Sequence, residues 1–414
     1  MADFLIPFES RQLIETTLAF CDKEVVPLEE ANRELLENER LRFDESGKLC
    51  PAVLELKRQI RRKSAEAGLY TLFGDRRIGG EDLGFEPMAQ VFAALFAYAG
   101  PGRTLIEDVV YPSVLTNGLS PVLNEMSQEL RSAHLADIAN GEATLCFALT
   151  EADAGSDIWN MRTRADRVEG GWRLNGSKQW ITNAPYADYC MVFAVTDQEL
   201  HRQRKPGGIT AFWVPAGHPG VSRDTVLPIV GHLGGDLGLL TFEDVTVPDA
   251  WVLGEPGQGL RLALQAINKG RLAIGAKCLG LAEWALQRAA EYAGQRTTFG
   301  HKIGDHGQVQ AMLADCAIDI YALKSMLTHL AWKLDARQDE KAIKETSIVK
   351  VFGSEMGCRV FDRCMQILGA SGLSNELRLE EGLRWNRSMR IPDGTSEIQR
   401  KTIATQLLRG DLAF

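Results

Sequence analysis

The feature that most constrains this 414-residue chain is a double change of hydrophobic period. From about residue 8 to 140, apolar residues recur at helical spacing: Leu13, Leu18 and Phe20, then Val53, Leu54 and Leu56, then Met88, Val91, Phe92 and Leu95. Pro51 stands where a helix can begin, and Gly68, Gly74, Gly79, Gly80 and Gly84 interrupt the chain before the third of these segments. Between about 143 and 250 the pattern shortens to strand-like runs: Thr144 to Leu149, Gly171 to Leu174, Tyr189 to Val195, Ile209 to Val214 and Leu239 to Phe242. Gly170-Gly171 and Asn175-Gly176 read as hairpin turns among them. After Gly254 the helical period returns in Ala-rich segments that run to Leu408 and suit a helical bundle. The expectation is an α+β fold, mostly α, divided at 1–142, 143–253 and 254–414 into helical, β and helical domains.

Charge excludes one class of function. A net charge of -9 argues against a nucleic-acid scaffold, which needs clustered Lys and Arg, while leaving room for a locally basic pocket. The eight cysteines are scattered without a C-x-x-C pair, which predicts reduced, mostly buried thiols. Met1-Ala2-Asp3-Phe4-Leu5 lacks a basic signal-like start, and no apolar run reaches membrane-spanning length. A soluble cytoplasmic protein without a metal site is expected.

Five strings carry chemistry. Thr150-Glu151-Ala152-Asp153-Ala154-Gly155-Ser156-Asp157 follows a strand-like run, and its backbone N–H groups and hydroxyls suit a phosphate as well as a plain capped turn. Trp180, in Asn175-Gly176-Ser177-Lys178-Gln179-Trp180-Ile181-Thr182-Asn183, taken alone reads as a core residue. Arg296-Thr297-Thr298-Phe299-Gly300 offers a phosphate-binding guanidinium, or a helix end capped by Gly300. Gln366-Ile367-Leu368-Gly369-Ala370-Ser371-Gly372 is Gly-rich, which alone means little. Ile391-Pro392-Asp393-Gly394-Thr395-Ser396-Glu397 places a carboxylate where Asp often caps a helix, here one beginning near Thr395.

Together and in this order, these strings resemble the acyl-CoA dehydrogenase family over nearly the whole chain. The resemblance implies a β-barrel-like middle domain, a C-terminal four-helix bundle and FAD as cofactor. Phe147, Leu149, Thr150, Gly155, Ser156, Trp180 and Thr182 then fall at the flavin, with Ser156 also meeting substrate. Arg296, Thr298, Phe299, Gln366, Ile367, Gly369 and Ala370 correspond to elements that reach the FAD of a neighbouring subunit, implying a homo-oligomer, a dimer or a homotetramer. Thr395 and Glu397 fall near the flavin phosphates, and Arg271, Gly394 and Glu107 in the substrate pocket. Asp393 takes the place of the family's base, which removes the α-proton of an acyl-CoA thioester. The β-hydrogen then passes as hydride to the flavin, yielding the 2-enoyl-CoA, as in fatty acid metabolism, with electron-transfer flavoprotein as acceptor.

The pattern also departs from the family. The base is Asp where Glu is usual; His306 is followed by Gly307 and then Gln308 where Gln is common; Arg384-Trp385 stands where Arg-Asp is common. Members that place the base on the helix reading Asn268-Lys269-Gly270-Arg271 find a partner here only in Gly270, which takes no proton. Glu107 and Asp108 read as solvated loop carboxylates or as polar members of the acyl pocket. A flavin oxidase or monooxygenase of the same fold, resembling nitroalkane oxidase in its Asp base, is the alternative. A DNA-binding relative is disfavoured by the acidic balance.

Overall fold

The computed structural model describes residues 7–223, 225–230, 236–336 and 342–413. By internal contacts the chain forms two compact units, Met1–Cys21 with Leu83–Arg103 and Arg271–Phe414, and Asp22–Asp82 with Thr104–Gly270.

The second unit is built on a sheet. Its strands are β1 (Leu145–Ala148), β2 (Arg164–Val168), β3 (Gly171–Thr182), β4 (Tyr189–Val195), β5 (Ile209–Pro215), β6 (Val221–Ser222), β7 (Leu237–Pro248) and β8 (Val252–Leu253). Their order is β6-β7-β3-β2-β4-β5-β8, with β1 added as a parallel partner of β4. Side chains alternate between faces along each strand, so both faces are apolar. Met191, Phe193 and Val195 of β4 join Trp213, Leu123, Ile138 and Leu262 in one core. Cys190, Val192 and Ala194 join Leu174, Ile181, Phe212, Leu240 and Val247 in the other. That second core draws on β7, β3, β2, β4 and β5, consecutive neighbours in the sheet.

Gly170 makes the expected turn between β2 and β3, with φ of 73°. Asn175-Gly176 does not make a turn: both residues lie inside β3, where the register with β7 shifts between Leu174 and Gly176. The reason is local. Gly176 has φ of 145°, and a Cβ there would meet the Thr163 Cα at 2.6 Å, while Asn175 exchanges hydrogen bonds with Asp244 across the ladder. The same signal that favours a two-residue turn here serves a bulge. The strand-like run at Gly171 to Leu174 accordingly extends to Thr182, and β2 escaped the pattern because it is polar and half-exposed.

The first unit is helical. Ile343–Leu368 is buried almost all round and packs against Gly307–Ala336, Leu379–Ser388 and Ser396–Leu408. Phe85–Ala99 packs on Phe8–Phe20 and on Gly307–Ala336. Gly280, in the helix Gly259–Gln295, permits a close helix crossing, because a Cβ there would lie 2.1 Å from the Ala93 carbonyl oxygen. All eight cysteines are free thiols, six of them buried. Among the described residues no helix is long and apolar enough to cross a membrane, and no His/Cys/Asp/Glu group could hold a metal ion.

Candidate active site

Asp393 sits on the short segment that leads into Ser396–Leu408. The expected Asp cap is not what forms. Thr395 is the N-cap, its hydroxyl accepting from the Ile398 N–H at 3.3 Å, and Asp393 is left over in the left-handed region with φ of 57°. Threonine caps well because its oxygen reaches the third free N–H of the helix. A non-glycine residue held at positive φ costs energy that the surroundings must offset.

Three donors supply that restraint. Arg271 Nε and Gln399 Nε2 both donate to the Asp393 carbonyl at 2.8 Å, and Lys350 Nζ donates to the Gly394 carbonyl at 2.8 Å. Gly394 must be glycine, since its φ is 91° and a Cβ would meet Gln399 Nε2 at 2.5 Å. With the backbone tethered, the carboxylate feels the positive charges of Arg271, Lys350 and Lys277. Burial outweighs that attraction and pushes its pKa up to about 6. Lys350 is likewise displaced, down to about 8, because its ammonium is fully buried.

The Arg296–Gly300 string begins at a helix end, the Arg296 N–H still donating to the Tyr292 carbonyl at 2.9 Å, but Gly300 is not its cap. The helix stops at Gln295, and Thr297–Thr298 pairs antiparallel with His301–Lys302. Phe299 and Gly300 are the two turn residues, with φ of 52° and 81°, the signs that a tight hairpin of this handedness demands. Gly300 therefore serves a hairpin and caps nothing. Phe299 projects from the tip with 94% of its surface exposed. Beside it lies a cleft of about 390 Å³ lined by Thr298, Phe299, His306, Gln308, Gln366 and Ile367, among others. Two strings some seventy residues apart thus share one cavity, and Gln308, one place later than the family's usual Gln, also lines it. Arg296, Gly369 and Ala370 are exposed and do not line that cleft.

In the second unit, β1 delivers Phe147, whose ring lies 4.7 Å from that of Phe193, and then the loop from Leu149 to Ser156. The loop is stitched to β3 from below. Lys178 Nζ donates to the Leu149 carbonyl at 3.0 Å and pairs with Glu151 at 2.7 Å, both partners buried. Glu151 also accepts from the backbone N–H groups of Arg162 and Thr163, and the Gln179 N–H donates to the Thr150 carbonyl at 2.9 Å. Next in the strand, Trp180 has φ of 61° at a second register shift and is 48% exposed, so it is no core residue. The bulge turns its indole outward. Thr182 closes the strand, half-buried. Gly155 is exposed, with open space around it, and Ser156 is exposed beside it.

Glu107 and Asp108 are half-buried, and both act on the charge of Lys57, which burial pushes below the ordinary lysine range. The departure at Arg384-Trp385 is structural: Arg384 pairs with Glu380, and Trp385 packs in the core near Phe96.

Residues 146–245 match the family model "Acyl-CoA dehydrogenase, middle domain", and 257–408 match "Acyl-CoA dehydrogenase, C-terminal domain". The chain is 34% identical over 407 residues to the human "Short-chain specific acyl-CoA dehydrogenase, mitochondrial", spanning 98% of this chain and 91% of that one. The chain belongs to the acyl-CoA dehydrogenase family. It is also 32% identical to "Probable acyl-CoA dehydrogenase YngJ" of Bacillus subtilis (strain 168), over 98% of this chain and 100% of that one. Among solved structures, a glutaryl-CoA dehydrogenase from Mycobacterium smegmatis in complex with FADH2 superposes with a TM-score of 0.81 at 25% identity, covering 100% of this chain and 97% of that one. In this member of an oxidoreductase family, four supporting residues have roles that the sequence did not single out: Lys350 and Gln399 beside Asp393 in the first unit, and the Lys178–Glu151 pair under the Leu149–Ser156 loop in the second. Lys350 had a visible signal, a lone charge within Ile348-Val349-Lys350-Val351-Phe352. Gln399 had none.

Proposed function

We propose that this chain is an FAD-dependent dehydrogenase of an acyl-CoA thioester, with Asp393 as the base that removes the substrate α-proton. The single observation that carries the reading is the tethered, half-buried Asp393, with its pKa near 6. A base that works near neutral pH must be ionised yet still basic, and an ordinary exposed carboxylate is too weak.

The residues present fit FAD. Trp180 offers a flat, half-exposed indole on a bulge, the Leu149–Ser156 loop offers hydroxyls and an open Gly155, and the cleft beside Phe299 offers an apolar floor with polar ends. Phe147, Leu149, Thr150, Gly155, Ser156, Trp180 and Thr182 would hold the flavin half. Arg296, Thr298, Phe299, Gln366, Ile367, Gly369 and Ala370 would hold the FAD of a neighbouring copy, with Thr395 and Glu397 toward the phosphates. The chemistry FAD supplies when bound is acceptance of the β-hydrogen as hydride.

This chain's own groups do the rest. Asp393 Oδ takes the α-proton, the Gly394 segment and Arg271 shape the pocket around it, and Trp180 keeps water from the flavin. Ser156 and Glu107 are assigned to substrate contact. The electrons pass to an electron-transfer flavoprotein, and the working assembly is a homo-oligomer. Anaerobic mixing with a panel of acyl-CoAs tests the reading: loss of visible flavin absorbance with one acyl class supports it. Rapid oxygen consumption without need of another acceptor would favour an oxidase instead.

A further inference from the structure

Lys350 has no accessible surface, yet it carries a charge. A lone ammonium in a helix core is costly unless something specific compensates it. Its hydrogen-bond partner is a backbone carbonyl, that of Gly394 at 2.8 Å, one residue from the carboxylate of Asp393. Gln399 Nε2 reaches the same carbonyl at 3.3 Å and the Asp393 carbonyl at 2.8 Å, so with Arg271 the turn is held from three helices.

We propose, resting on Asp393 as the base, that Lys350 is a positioning residue of the reaction: by clamping the Gly394 carbonyl it aims the Asp393 carboxylate and supplies a cation that balances it once ionised. A carbonyl accepts equally well from a neutral donor, so hydrogen bonding alone does not require a lysine here. The charged groups facing Lys350 are Asp393, Arg271 and Glu397, with the thiol of Cys278; those facing Asp393 are Arg271, Lys350 and Lys277. Cys278 is held neutral by burial, and Glu397 is exposed at the start of its helix, which leaves the half-buried Asp393 as the anion that Lys350 can serve.

The test compares three variants of the FAD-loaded protein. Lys350→Met removes donor and charge, Lys350→Gln keeps a donor, and Lys350→Arg keeps both. The Asp393 carboxyl is titrated by infrared difference spectroscopy, its band identified by its loss in Asp393→Asn, alongside the pH profile of flavin reduction. The Met and Gln variants should titrate higher by roughly one pH unit, as loss of a nearby opposite charge predicts, and the Arg variant should return toward the parent value. Gln should also recover more of the high-pH rate than Met, because it can still hold the turn. An unmoved infrared titration in Met and Gln overturns the role of Lys350. A moved titration with an unmoved rate profile overturns Asp393 as base, and with it any catalytic reach of Lys350. If the Met variant fails to load with FAD, the Gln and Arg pair carries the same comparison.

Discussion

Arg271 donates its Nε–H to the carbonyl of Asp393 at 2.8 Å, so it grips the backbone of the residue whose carboxylate is the proposed base. That arrangement fixes the position of the base through its backbone. The carboxyl keeps a pKa near 6, set by burial against the pull of Arg271, Lys350 and Lys277.

A pH dependence follows with a definite sign. The ionised form is the active one, so kcat/KM for flavin reduction should fall about tenfold per unit below pH 6 and level off above it. Stability runs the other way. A pKa raised on folding contributes stability that is present below the unfolded carboxylate value and lost as pH rises through about 6. Asp393→Asn should therefore gain on the parent in Tm between pH 4 and pH 7. Equal Tm differences at both ends would remove the buried-carboxyl account.

The Glu151–Lys178 pair beneath the Leu149–Ser156 loop predicts a steep stability effect. Lys178→Met leaves a buried carboxylate with only two backbone donors, at a cost of about 3–5 kcal/mol. Glu151→Leu with Lys178→Met should recover part of that loss in urea unfolding but not FAD affinity, because the tether from Lys178 to the Leu149 carbonyl is gone in both. Full recovery of affinity in the double variant would deny the tether a role.

Phe299 predicts a separation of fold from function. A bulky aromatic at positive φ, almost wholly exposed, does nothing for its own hairpin, whereas Asn suits the first position of such a turn. Phe299→Asn should leave Tm unchanged or slightly higher while FAD dissociates more readily and sedimentation shows weaker assembly. A large fall in Tm without change in FAD retention would contradict the assignment.

Much of this was legible in the sequence. The helix–strand–helix order, Tyr189 to Val195 as a strand and Pro51 as a helix start all came from period and turn chemistry, which act locally. The misreadings were also local signals, one settled by distant partners and one by the next few residues. Asn175-Gly176 became a bulge because Asp244 and Thr163 lie across the sheet, and Gly300 serves a hairpin because His301–Lys302 folds back on Thr297–Thr298. The site's support was least legible. Lys350 acts on a turn next to it only in three dimensions, Gln399 on one just before it in the chain, and a backbone carbonyl as partner leaves no trace in side-chain pattern.

The central claim is that Asp393 takes the α-proton. The most direct test is anaerobic titration of the FAD-loaded protein and of Asp393→Asn with the acyl-CoA that best bleaches the parent. The variant should keep its FAD and its oxidised spectrum, reducing the flavin about 10²–10⁴-fold more slowly. Bleaching of Asp393→Asn at the parent rate would contradict it.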